Sequence, residues 1–141
     1  MFKKVCIIGC GLIGSSIARA IKKNNLSVKI VSSNRSDTTN KKVIKLNIVN
    51  ESSSDTKKMV KESDLIIIAT PLSSYKSLIF KIKNSLKNGA ILTDVGSVKE
   101  KVISLIEKNI PKNVSWISSH PIAGTEESGP EAGFSELFKD R

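Results

Sequence analysis

Between Val5 and Gly14 the chain reads Val-Cys-Ile-Ile-Gly-Cys-Gly-Leu-Ile-Gly. A β-branched apolar run stops at Gly9, and Gly11 and Gly14 follow at the spacing G-x-G-x-x-G. Residues 15–21, Ser-Ser-Ile-Ala-Arg-Ala-Ile, then have the composition of a helix. Strand, tight turn and helix start form the context in which this spacing points to a dinucleotide. Gly9 lets the chain turn out of the strand, Gly11 leaves the backbone bare for a pyrophosphate, and Gly14 lets the helix pack close to the sheet. The helix N-terminus adds N–H groups and the positive end of a dipole. Gly9, Gly11, Leu12, Ile13 and Gly14 are therefore candidate cofactor-binding residues; the alternative is a plain glycine turn.

A chain of 141 residues predicts one domain, residues 1–141, and 39% hydrophobic with 26% charged residues is ordinary for a globule. No apolar run approaches the roughly 18 residues of a membrane span. The first residues lead straight into a strand, so no signal peptide and a cytoplasmic location are expected. Cys6 and Cys10 read as small core or turn residues in a reducing compartment. Their C-x-x-x-C spacing, with no second pair and a single histidine, predicts no metal site. The net charge of +10 is spread over lysines without a dense cluster, and 4% aromatics provide no stacking platform. Neither nucleic acid nor membrane is expected as a partner, although the positive field would draw in an anionic ligand.

Hydrophobic patterning predicts strands at 3–8, 28–31, 48–49, 65–69, 90–95 and 114–118. Helices are expected at 12–24, 40–47, 56–62, from Ser73 or Ser74 to about Leu86, and after Gly96. Residues 52–55 read as a polar loop, with Asn88-Gly89 closing the fourth helix. Leu65-Ile66-Ile67-Ile68-Ala69 is apolar throughout, as a central parallel strand buried on both faces should be. The alternation predicts an α/β, doubly wound, mostly parallel sheet in three layers, the Rossmann arrangement. Ligands of such sheets bind at the carboxyl ends of the strands.

That edge collects the remaining candidates. After the second strand comes Ser33-Asn34-Arg35-Ser36, where an NAD site usually carries an acidic residue for the ribose 2′-hydroxyl. Asn34 is neutral, and Arg35 with flanking hydroxyls would bind a 2′-phosphate. NADP is therefore the expected cofactor; the alternative is that Arg35 only stacks on adenine and NAD is used. Thr70-Pro71 and Gly96 end the next two strands beside the cofactor. A neutral imidazole can take a proton near pH 7, so His120 could take one from a substrate hydroxyl as hydride leaves; otherwise it caps a strand. Ser97, at a strand-to-helix turn, could orient that hydroxyl, or act as a helix N-cap, or both.

The stretches G-C-G-L-I-G-S-S, D-V-G-S-V-K and H-P-I-A-G-T-E-E-S-G-P-E-A-G resemble the prephenate/arogenate dehydrogenase family of tyrosine biosynthesis, over essentially the whole chain. The resemblance implies oxidative decarboxylation of a cyclohexadienol, with hydride leaving ring C4 and His120 as the base. It makes Ser97 the orienting serine and places Ser97, His120, Gly124, Thr125 and Glu126 at the substrate. It also implies a helical domain for substrate binding and homodimer formation that this chain does not contain. Residues 124–141 are then a loop leading towards that domain, and the chain alone should bind NADP but turn prephenate or arogenate over weakly or not at all. Two other functions fit the residues: another Rossmann hydroxyacid dehydrogenase, or a non-catalytic nucleotide-sensing module.

Overall fold

The β1 strand (Phe2–Ile8) is the axis of the molecule: Val5, Cys6, Ile7 and Ile8 are buried, alternately on one face and the other. The computed structural model describes residues 1–96, 100–120 and 127–139. It contains five further strands: β2 (Ser27–Ser33), β3 (Glu51–Ser53), β4 (Leu65–Ile68), β5 (Ile91–Asp94) and β6 (Ser115–Ile117). They pair in the order β3-β2-β1-β4-β5-β6, every pair parallel. This is the doubly wound Rossmann order, with its switch point between β1 and β4. Register sets Ser33, Ile8, Ile68 and Asp94 level across four strands. Whatever follows each strand therefore emerges on one edge.

Helices α1 (Leu12–Lys23) and α2 (Asp37–Lys45) cover one face. Ala18, Ile21 and Val43 pack there against Val5, Ile7, Ile30 and Ile67. Helices α3 (Thr56–Val60), α4 (Tyr75–Ile82) and α5 (Glu100–Asn109) cover the other. Met59, Tyr75, Leu78, Ile79, Ile82 and Ile106 meet Cys6, Ile8, Ile66, Ile68 and Leu92. A 3-10 turn at Lys83–Ser85 ends α4 before Leu86, the end that the sequence pattern predicts.

One strand lies elsewhere than its sequence pattern predicts. Ile48 and Val49 are buried in the α1–α2 layer but carry no ladder, and the polar residues Glu51–Ser53 form β3 instead. The chain leaves α2 through Asn47 at φ 57°, which turns Ile48 and Val49 inward. Pairing begins only at Asn50, whose N–H donates to the Ile30 carbonyl while its side-chain oxygen accepts the Ile30 N–H. Hydroxyl pairs then bridge the ladder, with Ser32 meeting Ser52 at 2.7 Å. Helix α2 likewise starts at Asp37 because Ser36, not a later residue, is its N-cap.

The 127–139 segment runs back over α1. Arg19 donates to the carbonyls of Pro130 and Gly133, and Ser16 accepts the Phe134 N–H at 3.0 Å. Leu137 is buried, and Lys42–Glu131 and Lys23–Glu136 ion pairs flank the crossing. No helix among the described residues is long and apolar enough to cross a membrane.

Candidate nucleotide-binding cleft

Gly9 leaves β1 at φ 93°, a conformation that favours glycine, and a Cβ there would sit 2.8 Å from the Ala69 carbonyl oxygen. The turn brings α1 so close that a Cβ on Gly14 would lie 2.0 Å from the Gly9 carbonyl oxygen. Gly11 differs from both. It is exposed, and a Cβ built on it meets nothing within 4 Å. The space above it is open, and no side chain caps the first turn of α1 beneath. Bare backbone beside an uncapped helix start fits a pyrophosphate.

Around this turn lies a cleft of about 970 Å³. Of the expected cofactor residues, Gly9, Gly11, Ser33, Asn34, Arg35, Ser36, Thr70 and Pro71 line it. Leu12, Ile13 and Gly14, in the first turn of α1, do not, and neither does Gly96. Among the described residues the lining includes the cations Arg35 and Lys81, many Ser and Thr hydroxyls, and no carboxylate. Its composition suits a polyanion.

Asn34 is buried and faces inward. Its Oδ1 accepts the Cys10 N–H at 2.6 Å, and its Nδ2 donates to Asn40 Oδ1 at 3.0 Å. Asn40 returns a bond to the Asn34 carbonyl. Ser33 pairs with Thr56 at 2.8 Å, and the Ser36 hydroxyl accepts the Thr39 N–H at 3.4 Å as the α2 cap. Arg35 is exposed at the cleft. Burial pushes both thiols up, Cys6 to about 12 and Cys10 to about 11.

At the β5–β6 end the organising group is Asp94, which is fully buried. Its Oδ2 accepts the Tyr75 hydroxyl and the Gly96 N–H, each at 3.0 Å, and its Oδ1 accepts the Ser119 N–H at 3.4 Å. The Ser119 hydroxyl donates to the Asp94 carbonyl. Burial, with Asp94 adjacent, raises the Tyr75 phenol above its ordinary pKa. His120 is exposed three residues beyond β6. Ser97, Gly124, Thr125 and Glu126 lie outside the described residues. No group of three metal-ligating side chains occurs among the described residues.

Several cleft residues escape a reading by motif. Thr39, Ser54, Thr56, Ser73, Ser74, Ser77 and Lys81 are supplied by α2, α3, α4 and the turns before them, and Gly129 and Pro130 by the crossing segment. Ser and Thr just after strand ends were the available signal. Nothing local marks Lys81 or Pro130.

Comparison with known proteins identifies the family. The model of the prephenate dehydrogenase nucleotide-binding domain matches residues 17–141. A cyclohexadienyl dehydrogenase from Zymomonas mobilis is 38% identical over 140 residues, covering 99% of this chain and 47% of the relative. Prephenate dehydrogenase from Aquifex aeolicus, solved with hydroxyphenyl propionate and NAD+, superposes with a TM-score of 0.90 at 26% identity. That match covers 99% of this chain and 49% of the other. Arogenate dehydrogenase from Synechocystis superposes at 0.86 with 26% identity, covering 95% of this chain and 46% of the other. The chain spans about half the length of these relatives. With its parallel sheet, glycine turn and matched residues, the chain belongs to the prephenate dehydrogenase family, whose nucleotide-binding domain it carries.

Proposed function

We infer that this chain serves an NADP-preferring prephenate or arogenate dehydrogenase as its nucleotide-binding domain. The observation that carries the cofactor preference is the cleft lining, in which, among the described residues, Arg35 and Lys81 are present and no carboxylate is. Asn34, at the usual acidic position, turns its amide inward to Cys10 and Asn40, leaving Arg35 and Ser36 at the cleft. An arginine fork with a neighbouring hydroxyl binds a 2′-phosphate, whereas an acid would repel it. Gly11 and the start of α1 would hold the pyrophosphate.

When bound, the cofactor supplies a hydride acceptor for ring C4 of the cyclohexadienol. By motif match, His120 takes the proton of the C4 hydroxyl, so that the oxygen can become a carbonyl. The bond to the ring carboxylate then breaks, carbon dioxide leaves, its electron pair enters the ring, and the oxygen regains a proton as a phenol. Ser97 orients the hydroxyl, and Gly124, Thr125 and Glu126 lie at the substrate. Holding hydroxyl and base in line is the main contribution of these side chains. A homodimer formed through a helical domain belongs to the same reading, and sedimentation of this domain joined to such a helical domain tests it.

Calorimetric titration with NADP+ and NAD+ tests the cofactor preference; tighter binding of NAD+ would reverse it. Turnover of prephenate and arogenate by this domain joined to a helical substrate domain, followed by absorbance of the reduced nicotinamide, tests the reaction. His120→Asn should abolish turnover with cofactor affinity intact. An active His120→Asn protein would remove the proposed base.

A further inference from the structure

Asp94 is a carboxylate with no solvent contact, at the end of the strand between the switch point and the sheet edge. Such a group is costly to bury unless donors surround it. Among the described residues the donors come from three places. Tyr75 reaches it from α4, Gly96 from the chain leaving β5, and Ser119 from the chain leaving β6. Ser119 is bound twice, since its hydroxyl also donates to the Asp94 carbonyl. Gly96 fits only without a side chain: a Cβ there would lie 2.9 Å from Asp94 Oδ2 and 3.0 Å from the Tyr75 hydroxyl.

Gly96 and Ser119 are the residues that immediately precede Ser97 and His120 in the chain. We propose that Asp94 is a positioning residue: by holding the Gly96 and Ser119 backbones on one buried carboxylate, it sets the two loops that carry the orienting serine and the base relative to one another. It is fully buried and does not line the nucleotide cleft. Tyr75 completes the device. Its phenol, with a pKa raised by burial, remains a donor and fixes the carboxylate from the core side. The proposal rests on the dehydrogenase reading for what the two loops do. The geometry of Asp94 itself is independent of it.

Two variants separate the possibilities. Asp94→Asn replaces one acceptor oxygen by a donor, so one of the two loops loses its bond. Ser119→Ala removes the hydroxyl bond to the Asp94 carbonyl and leaves the Ser119 N–H on the carboxylate. Each is assayed for turnover with prephenate and arogenate, and for the ring Cε1–H signal of His120, the one histidine of the chain. In an active wild-type protein, kcat should fall about fiftyfold in Asp94→Asn and about fivefold in Ser119→Ala, with cofactor KM within about twofold. The His120 signal should shift or split in both variants. Unchanged kcat, or a loss matched by an equal rise in cofactor KM, would overturn the proposal. If the wild-type domain, joined to a helical substrate domain of the family, oxidises neither substrate, the dehydrogenase reading fails, and the NMR signal alone decides the positioning claim. A shift in both variants upholds it and an unmoved signal refutes it. If Asp94→Asn does not fold, Ser119→Ala decides on the same two readouts.

Discussion

The side-chain oxygen of Asn34 accepts the backbone N–H of Cys10 at 2.6 Å, joining the end of β2 to the middle of the glycine turn. The turn is therefore held from the adenosine side of the cleft as well as by β1. Asn34→Ala would leave the Cys10 N–H without its buried acceptor, at a cost of about 2 kcal/mol. Urea unfolding measures it. Asn34→Asp keeps an acceptor for Cys10 but sets a second one against Asn40 Oδ1 and puts a negative charge beside Arg35. It should weaken NADP+ binding about tenfold while NAD+ binding falls less. Calorimetry with both cofactors shows whether the preference moves.

Two glycines of the turn should fail in different ways. Gly14→Ala drives a Cβ into the Gly9 carbonyl and should cost about 3 kcal/mol in thermal or urea unfolding. Gly11→Ala meets no atom within 4 Å, so the fold should survive essentially intact. The methyl instead occupies the space a pyrophosphate needs, and cofactor affinity should drop about tenfold or more. Loss of stability in Gly11→Ala, or retained affinity, would contradict the role given to the bare backbone.

Both cysteines should be inert in the folded protein. With thiols at about 12 and about 11, neither forms appreciable thiolate at pH near 8, and both are buried. A thiol reagent should label no cysteine in buffer and both in denaturant. Fast labelling of Cys10 in the folded state would show that the turn opens.

The crossing segment should loosen in acid. Hydrogen bonding from Lys23 holds the Glu136 carboxyl down at about 2, below its ordinary 4.5. A depressed carboxylate pKa stabilises the folded arrangement above 4.5, and that contribution is lost as pH falls from 4.5 towards about 2. The pair is exposed, so the effect should be small and reduced by salt. Exchange of the Phe134 amide, corrected for intrinsic rate, should rise across this window, and Lys23→Ala should flatten the rise.

Some of this architecture can be read from residue order and some cannot. The strand-turn-helix at Gly9, the buried run at Leu65 and the common edge of Gly9, Thr70 and Asp94 follow from local pattern and chain topology. The third strand misleads because Ile48 and Val49 owe their burial to the left-handed exit from α2, while Ser52 and Ser53 make the ladder through backbone and hydroxyl pairs. The inward face of Asn34 depends on Asn40, six residues on, and Ser52, eighteen residues on. Asp94 reads as one residue of a motif, yet its donors Tyr75 and Ser119 lie 19 and 25 residues away in the chain. Such bonds reach across elements, where neither hydrophobic period nor turn chemistry leaves a mark.

The crossing of residues 127–139 over α1 bears on the order in which the protein is made. Arg19, Ser16 and the Gly129–Pro130 wall of the cleft belong together, but more than 100 residues of chain separate them. A ribosome adding about 5–20 residues per second exposes the glycine turn several seconds before that wall exists. Until Pro130 emerges, a nascent chain can form β1, α1 and β2 but offers nucleotide a site open on one side. Tight capture of cofactor is thereby reserved for a domain whose synthesis is nearly done.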